Sequence, residues 1–294
     1  MNRIIGQYSS GQEGPLVWVT AGVHGNEPSG VEALENVFNS LSKQQPHIKG
    51  KLVGIKGNQK ALQLNRRFID EDLNRTWKKD KIETQQVRTH EEAEMQDIIQ
   101  LLNKHWGGKE KQPAYFLDCH TTSSESAPYI SVQVKNDNAE WSQRFPTKIV
   151  RGFSDMVEGS IDHYFTDLGM TGFTFEAGSH QNPESAQHHE SMIWLILKEA
   201  CDLSLDSLTE YPNCTASLRQ FEQQSFDIIY RHELQASDKF EMKPGFHNFD
   251  HIVKNEVLAT HNGREIRSQW NAHIFMPLYQ GQGNDGFFVV EEIK

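Results

Sequence analysis

The first two thirds of the chain alternate strand-like and helix-like segments, and this alternation constrains the fold more than any other feature. Residues 16–21 form an apolar, β-branched run that ends at Gly22, which is typical of a buried strand. Apolar residues then recur three to four positions apart between Ser29 and Leu41, which predicts a helix. Strands that alternate with helices predict an α/β fold, in which a mostly parallel mixed sheet is flanked by helices.

The alternation continues to about residue 200. Further strands are predicted at residues 51–56, 115–120, 129–134 and 171–177, and an amphipathic helix at residues 91–106. A last helix is predicted to open at Asn182-Pro183, with Asn182 as the N-cap and Pro183 as the first helical residue. His188 and His189 lie on this helix, and we expect both on the protein surface.

The character of the chain changes after about Asp202. Residues 203–217 are polar and rich in turn-forming residues, and strand-like runs follow at 226–230 and 287–290, with glycine and proline between them. This pattern favours a small β-rich unit. The sequence therefore predicts an α/β domain over residues 1–205 and a β-rich C-terminal domain over residues 215–294.

The chain is acidic, because 40 Asp and Glu residues outnumber 29 Lys and Arg residues among its 294, for a formal net charge of −11. Nucleic acids and anionic membranes attract basic surfaces, so neither is expected as a partner. Three cysteines are too few for a disulfide framework, and no apolar run approaches the ~18 residues of a membrane span. The first residues also lack the apolar stretch of a signal peptide. We therefore expect a cytoplasmic protein.

The acidic chain contains 14 histidines, and some of them have the spacing of metal ligands. His24 and Glu27 directly follow the first buried strand, where open α/β sheets place their ligands. An imidazole nitrogen and a carboxylate oxygen are both zinc ligands. The alternative for this pair is a loop histidine followed by a carboxylate at a helix start.

A second histidine, His120, ends another predicted strand. A catalytic zinc takes three protein ligands and keeps a fourth position open, and His24, Glu27 and His120 give that number. Asp118 would accept a hydrogen bond from His120, as carboxylates near ligating histidines do. Cys119 alternates to the other face of the strand, where a small buried apolar residue is expected. The alternative for His120 is a strand-end histidine that bonds locally.

Glu176 lies near the end of the apolar strand at residues 171–177. Apolar neighbours disfavour the charged carboxylate and would raise its pKa into the range of a general base. The alternative is a strand-end glutamate that reaches solvent.

Residues 66–75 are rich in charge. Arginines beside a metal site are natural binders of a substrate carboxylate, because the guanidinium group bonds it in a bidentate manner. Arg66, Arg67 and Arg75 are the candidates, and Asn74 can add a hydrogen bond. The alternative is a solvated charged loop.

Four motifs in this order resemble the aspartoacylase and succinylglutamate desuccinylase family, which is related to the zinc carboxypeptidases. They are residues 22–27 (GVHGNE), 67–75 (RFIDEDLNR), 118–121 (DCHT) and 175–178 (FEAG). The resemblance covers most of residues 14–200, and residues 276–283 are similar to the β-rich domain of the family. It implies a zinc carboxypeptidase-like sheet with a C-terminal β-rich domain.

The resemblance also implies roles for the candidate residues. His24, Glu27 and His120 would hold one Zn²⁺ per chain, and Glu176 would be the general base that later protonates the leaving amine. Arg67 would polarise the scissile carbonyl, and Asn74 and Arg75 would bind the α-carboxylate of the substrate. Asp72 is expected to shape the loop.

One departure from the family bears on the substrate. In aspartoacylases a further arginine, upstream of the catalytic glutamate, binds the acidic side chain of the substrate. Residues 159–168 contain no arginine here, which argues against N-acetylaspartate. His163 or Tyr164 would line the pocket instead, or lie on the surface.

The leading hypothesis is a zinc-dependent hydrolase that cleaves the amide bond of a small N-acylated amino acid or related carboxylate. One alternative is a metallocarboxypeptidase that acts on short peptides or cell-wall fragments. Another is a catalytically silent protein that binds a metal or a carboxylate. The expected partner is the small N-acyl substrate, and a homo-oligomer is compatible with the family.

Overall fold

The computed structural model describes residues 3–108, 110, 112–209, 218–219, 221–281 and 283–293. Part of the predicted linker, residues 210–217, lies outside these ranges, as does Gln282 of the C-terminal motif. Within the described ranges, no helix combines the length and the apolar character that a membrane span requires.

Fourteen strands and eight helices occur within the described residues. The strands are Ile4–Tyr8 (β1), Gln12–Ala21 (β2), Lys49–Lys56 (β3), Ala114–Thr122 (β4), Tyr129–Val132 (β5), Lys148–Arg151 (β6), Thr171–Ser179 (β7), Ser225–Glu233 (β8), Phe240–Met242 (β9), His251–Ile252 (β10), Val257–His261 (β11), Arg264–Arg267 (β12), Ala272–Phe275 (β13) and Asp285–Ile293 (β14). The helices are Ser29–Gln44 (α1), Gln59–Leu64 (α2), Lys79–Thr84 (α3), His90–His105 (α4), Asn138–Ser142 (α5), Phe153–Met156 (α6), Ile161–Asp167 (α7) and Ser185–Cys201 (α8). Short 3₁₀ turns occur at Leu73–Arg75 and Leu205–Ser207.

A mixed sheet of 11 strands forms the centre of the fold, in the order β1-β3-β2-β4-β7-β5-β6-β8-β14-β13-β10. The four strands β3, β2, β4 and β7 run parallel, whereas β5 pairs with β7 in the antiparallel direction. The predicted α/β class with a mixed sheet is therefore confirmed.

Helices cover both faces of the parallel strands, as predicted. Val17 and Val19 of β2 pack with the apolar residues of α1 and α8, whereas Leu16 and Trp18 pack on the opposite face with α4 and α7. Successive side chains of a strand point to opposite faces, so an uninterrupted apolar run such as residues 16–19 belongs in a strand covered on both sides.

The C-terminal part of the chain is rich in strands, as expected. Its first strand, β8, pairs with β6 in the parallel direction, and β14, β13 and β10 continue the central sheet. A separate three-stranded sheet has the order β12-β11-β9. The division into domains 1–205 and 215–294 stays a prediction, since the central sheet is continuous across it.

The start of α8 and the two histidines on it differ from the prediction. The helix begins at Ser185 with Glu184 as the N-cap, because the Asn182 side chain accepts a hydrogen bond from the backbone N–H of Glu184 in a turn before the helix. His188 and His189 are both buried, so their predicted surface position is wrong. At helical spacing the two histidines lie on the same face as Met192 and Ile193, and α8 packs on α1 and β7. This spacing places both histidines in the interior.

Candidate active site

The candidate residues come together at the carboxyl ends of parallel strands. His24 follows β2, His120 lies near the end of β4, and Glu176 lies near the end of β7. His120 and Glu176 are direct partners in the register of β4 and β7. Parallel strands all end at one edge of the sheet, which is where ligands bind in open α/β folds.

Two glycines shape the loop that carries His24. Gly22 has a φ of +69°, a conformation that residues with a side chain rarely adopt. A Cβ atom on Gly25 would lie 2.0 Å from the backbone carbon of Ala61, and the Gly25 N–H donates to the Arg67 carbonyl. This close approach holds the His24 loop against the segment that carries Arg67.

His24, Glu27 and His120 form a buried group whose ligand atoms all lie within 4.8 Å of one another. The Glu27 oxygens lie 2.7 Å from His24 Nδ1 and 3.2 Å from His120 Nδ1. Two imidazole nitrogens and a carboxylate directed at one point make a donor set that suits Zn²⁺. The residues present therefore fit the expected metal.

In both histidines the outer nitrogen, Nε2, which is not the one beside Glu27, lies within hydrogen-bond distance of an aspartate. His120 Nε2 lies 2.8 Å from Asp118 Oδ2, which is the predicted contact, and His24 Nε2 lies 3.0 Å from Asp72 Oδ1. Asp72 also shapes its loop as expected, because it accepts a hydrogen bond from the Asn74 N–H. Carboxylates in these positions hold a ligating histidine in one orientation and one tautomer.

Charge interactions within this group shift the pKa values of Glu27 and His120. Burial opposes ionisation of Glu27, but His24 and His120 overcome it and hold the pKa of this carboxyl well below its ordinary value. Burial likewise opposes protonation of His120, but Asp118 and Glu27 raise its pKa well above the ordinary value. Asp118 and Glu27 therefore stabilise positive charge on His120.

Glu176 has the environment that the sequence predicted. The residue is 7% exposed, and burial raises its pKa to about 8, with further contributions from the nearby Glu27 and Asp118 carboxylates. Its Oε2 atom finds no hydrogen-bond partner within the described residues. A carboxylate with this pKa can both accept and donate a proton near neutral pH.

Cys119 lies on the other face of β4, buried against α1, as predicted. A Cβ atom on Gly30 would lie 2.6 Å from the Cys119 Cβ, so the helix packs closely on the strand there. Burial raises the pKa of the thiol well above its ordinary value. Cys119 is therefore a packing residue.

The two predicted arginines are both held by aspartates. Arg67 donates to Asp72 at 3.0 Å, with Glu27 at 3.6 Å, and Arg75 donates to Asp285 of β14 at 2.9 Å. Asn74 is buried and accepts a hydrogen bond from the Ile161 N–H. Each arginine is thereby fixed at the edge of the same cavity.

This main cavity has a volume of about 230 Å³ and is lined by the metal-ligand candidates, Glu176, Arg67 and Arg75. Met276, Leu278, Gln280 and Asp285 from the C-terminal part close one side of it. Neither His163 nor Tyr164 belongs to the lining within the described residues. Tyr164 instead packs against Trp77, with ring centroids 5.1 Å apart.

His180 also lines the main cavity and was not singled out in the sequence. Its Nδ1 lies 2.8 Å from Thr121 Oγ1, and burial lowers its pKa. The sequence signal that could have identified it is its position directly after β7, since His24 likewise follows a parallel strand, β2.

The chain is similar to known proteins in both sequence and fold. The model of the succinylglutamate desuccinylase/aspartoacylase catalytic domain matches residues 13–198. A succinylglutamate desuccinylase from Photorhabdus laumondii is 37% identical over 274 residues, which cover 90% of this chain and 73% of that protein. Another from Erwinia tasmaniensis is 26% identical over 211 residues, which cover 69% of this chain and only 57% of that protein.

The fold is also that of a solved structure. The succinylglutamate desuccinylase from Vibrio cholerae superposes with a TM-score of 0.71 over 97% of this chain and 82% of that chain, at 13% sequence identity. On the match to the catalytic-domain model over more than half of its length, the chain belongs to the succinylglutamate desuccinylase/aspartoacylase family.

Proposed function

We propose that the protein is a zinc-dependent hydrolase that cleaves the amide bond of a small N-acylated amino acid. One observation carries the proposal: the buried group His24, Glu27 and His120 opens into the same cavity as the Glu176 carboxylate. A structural zinc site would need a fourth protein ligand and no adjacent base.

His24, Glu27 and His120 would hold one Zn²⁺ per chain. When bound, zinc supplies Lewis-acid activation of water and of the substrate carbonyl. Asp72 and Asp118 keep the two imidazoles directed at the ion position through their outer nitrogens.

Glu176 moves the proton of the reaction. Its unpartnered Oε2 accepts a proton from the attacking water, and the same oxygen returns that proton to the amine nitrogen as the amide bond breaks. A pKa that burial raises to about 8 makes the protonated form a usable acid and the ionised form a stronger base. The water oxygen and its second proton end in the carboxylic acid product, and the amine leaves neutral; the acid then ionises and releases that proton to solvent.

The arginines orient the substrate. Arg67 lies beside Glu27 and would donate to the carbonyl oxygen as negative charge develops there. Arg75, with Asn74 next to it, would bind the α-carboxylate at the cavity edge. Their aspartate partners hold both guanidinium groups in place before substrate arrives.

The shape of the main cavity favours a small substrate over a peptide. A carboxypeptidase needs an open cleft, whereas Met276, Leu278 and Gln280 narrow this cavity of about 230 Å³. The relatives named as succinylglutamate desuccinylases agree with a small N-acyl substrate. The buried Glu176 argues against a silent metal binder, because such a protein has no use for a base there.

A substrate screen tests the proposal. Zinc-loaded protein would be assayed on N-acetyl, N-succinyl and N-formyl amino acids and on dipeptides, with release of the amine as the readout. We expect turnover of at least one acyl class and little hydrolysis of dipeptides. Preference for dipeptides would favour the carboxypeptidase alternative, and zinc bound at one per chain without turnover would favour the silent binder.

A further inference from the structure

Glu91 is a buried carboxylate that the proposed reaction does not use. It lies in the first turn of α4, its exposed fraction is 0%, and it does not line the main cavity. No ion pair joins it to a basic side chain among the described residues, since the nearby Lys81 and His90 pair with other glutamates. A buried charge without a cation is costly, so hydrogen-bond donors must compensate it.

Each carboxylate oxygen of Glu91 accepts two hydrogen bonds. Oε2 accepts from the backbone N–H groups of Asp70 at 3.1 Å and Glu71 at 3.2 Å. Oε1 accepts from the Ile69 N–H at 2.7 Å and from the side-chain amide of Asn58 at 2.8 Å. Consecutive N–H groups directed at one point form an anion-binding loop, and here the anion is a side chain of the same protein. Glu91 therefore fixes the backbone of this segment.

The segment that Glu91 holds lies between Arg67 and Asp72. Arg67 donates to Asp72 at 3.0 Å, and Asp72 Oδ1 lies 3.0 Å from His24 Nε2. A shift of the backbone between the two residues would move the guanidinium group away from the substrate carbonyl. It would also move the Asp72 carboxylate away from the His24 ring. Glu91 thus acts on both site residues through the backbone that joins them.

Asn58 connects Glu91 to the loop that carries His24. As the buried N-cap of α2, its side-chain oxygen accepts from the Ala61 N–H at 3.1 Å. Its backbone N–H donates to the Gly22 carbonyl at 2.9 Å. Because the amide oxygen is engaged at Ala61, the amide nitrogen has to face Glu91. One carboxylate therefore ties the arginine-bearing segment to the turn that precedes the metal-ligand candidates.

We infer that Glu91 is a positioning residue, which sets Arg67 and Asp72 for the reaction through the backbone between them. The kinetic part of the inference rests on the proposed function, whereas the expected change in zinc affinity rests on the zinc site alone. The α-carboxylate site should be independent of Glu91, because Arg75 is held by Asp285. Loss of Glu91 should therefore lower kcat and zinc affinity more than it raises KM.

Glu91→Gln tests this division of effects. The variant keeps the size of the side chain, but an amide nitrogen in either oxygen position faces two N–H donors, so two hydrogen bonds are lost whichever way the amide turns. We expect kcat on the fastest substrate of the N-acyl screen to fall about 10- to 100-fold, with KM changed less than about threefold. Competition with a chromophoric chelator should show zinc affinity lower by about tenfold.

Hydrogen–deuterium exchange of the zinc-loaded protein measures the backbone directly. The N–H groups of residues 69–71 should exchange faster in Glu91→Gln, while those of β2 and β4 keep their rates. Glu91→Asp keeps the charge but withdraws the carboxylate by one methylene, so it should show the same changes at a smaller size. This second variant decides the question if Glu91→Gln does not fold.

Glu92→Ala is the matched control at the next position of α4. Glu92 accepts from the N–H groups of Arg88 and Thr89 rather than from residues 69–71. The substitution removes the capping box and destabilises the start of the same helix, and urea unfolding measures that loss in both variants. The kcat and the zinc affinity of Glu92→Ala should stay those of the unmodified protein.

The outcomes separate the inference from the proposed function. Unchanged exchange at residues 69–71 overturns the positioning role, and so do equal losses of kcat and zinc affinity in Glu91→Gln and Glu92→Ala. A rise in KM with kcat unchanged overturns it as well. Absence of turnover in the unmodified protein overturns the proposed function, and zinc affinity and exchange then decide on Glu91.

Discussion

Arg75 donates to the Asp285 carboxylate at 2.9 Å, which links the arginine-rich segment to the last strand of the fold. The other oxygen of Asp285 accepts from Arg231 at 2.6 Å, and Arg231 in turn donates to the Met156 carbonyl. Asp285 is 14% exposed and therefore acts where water screens little. The C-terminal part of the chain thus fixes a guanidinium group that faces the main cavity.

Substitution Asp285→Asn should weaken substrate binding. The variant keeps the size of the side chain but loses the charge that orients Arg75, so the α-carboxylate meets a mobile guanidinium group. We expect KM to rise about tenfold, equivalent to about 1.4 kcal/mol, with kcat changed little. Steady-state kinetics would measure both. Glu291→Gln, an exposed change on the same strand, is the control, and an unaltered KM in Asp285→Asn would contradict the role given to Asp285.

Substitution Glu176→Gln should remove nearly all turnover and leave zinc binding intact. Glutamine keeps the shape but cannot carry the proton between water and amine, and general acid–base groups contribute about 10²–10⁴ in rate. Metal content measured by elemental analysis should stay at about one per chain. A Gln variant with full activity would refute the base assignment.

The acidic limb of the pH profile of kcat/KM should be set by the ionisation of Glu176. Only the ionised carboxylate accepts the proton, so activity should rise as pH increases through its pKa. Burial raises that pKa to about 8, and a bound divalent cation would lower it through opposite charge. The acidic limb should therefore lie below pH 8 in zinc-loaded protein and vanish from the residual activity of Glu176→Gln. A limb that persists in the variant would assign it to another group.

Substitution Asp118→Asn should weaken zinc binding without removing a ligand. Asp118 lies 2.8 Å from His120 Nε2 and fixes the ring so that Nδ1 faces Glu27. Loss of such a partner typically costs about 10–100-fold in metal affinity. Competition with a chromophoric chelator would measure it. Cys119→Ala, one position away on the opposite face, should leave the affinity unchanged, and equal effects in the two variants would point to general disruption of β4.

Local sequence patterns predicted much of this fold and several neighbours in the site. Residues 16–21 are predicted as a buried strand because both faces of the run are apolar. His24 and His120 were predicted to share a site because each lies at the end of a predicted strand, where open α/β sheets bind ligands. The Arg75–Asp285 contact joins positions 210 residues apart. No local pattern encodes such a pairing, because it depends on β14 lying in the central sheet.

The buried histidines of α8 show a different kind of miss. His188 and His189 lie at helical spacing from Met192 and Ile193, so periodicity alone placed them on the apolar face. The prediction nevertheless placed both residues on the surface, because histidine is a polar residue. The structure bonds one ring nitrogen of His188 internally, since its Nδ1 donates to the Ala177 carbonyl at 2.8 Å, while its Nε2 has no partner within the described residues.

His189 should make the protein less stable in mild acid. It is 1% exposed, and burial lowers its pKa from the ordinary 6.5 to about 3. Below pH 6.5 His189 is therefore protonated in the unfolded chain, whereas in the folded chain it stays neutral down to about pH 3. The free energy of unfolding should accordingly fall, by up to about 1.4 kcal/mol for each pH unit in this window.

Substitution His189→Gln removes this titration and tests it. The loss of stability between pH 7 and about pH 4.5 should be smaller in the variant by roughly 2 kcal/mol, whatever its stability at pH 7. Urea unfolding at the two pH values, at the same saturating zinc concentration, measures the difference, and pH effects shared with the unmodified protein cancel. His47→Gln, at an exposed position, should keep the full acid sensitivity. Equal pH dependence in His189→Gln and the unmodified protein would show that His189 is protonated as readily in the folded state as in the unfolded state.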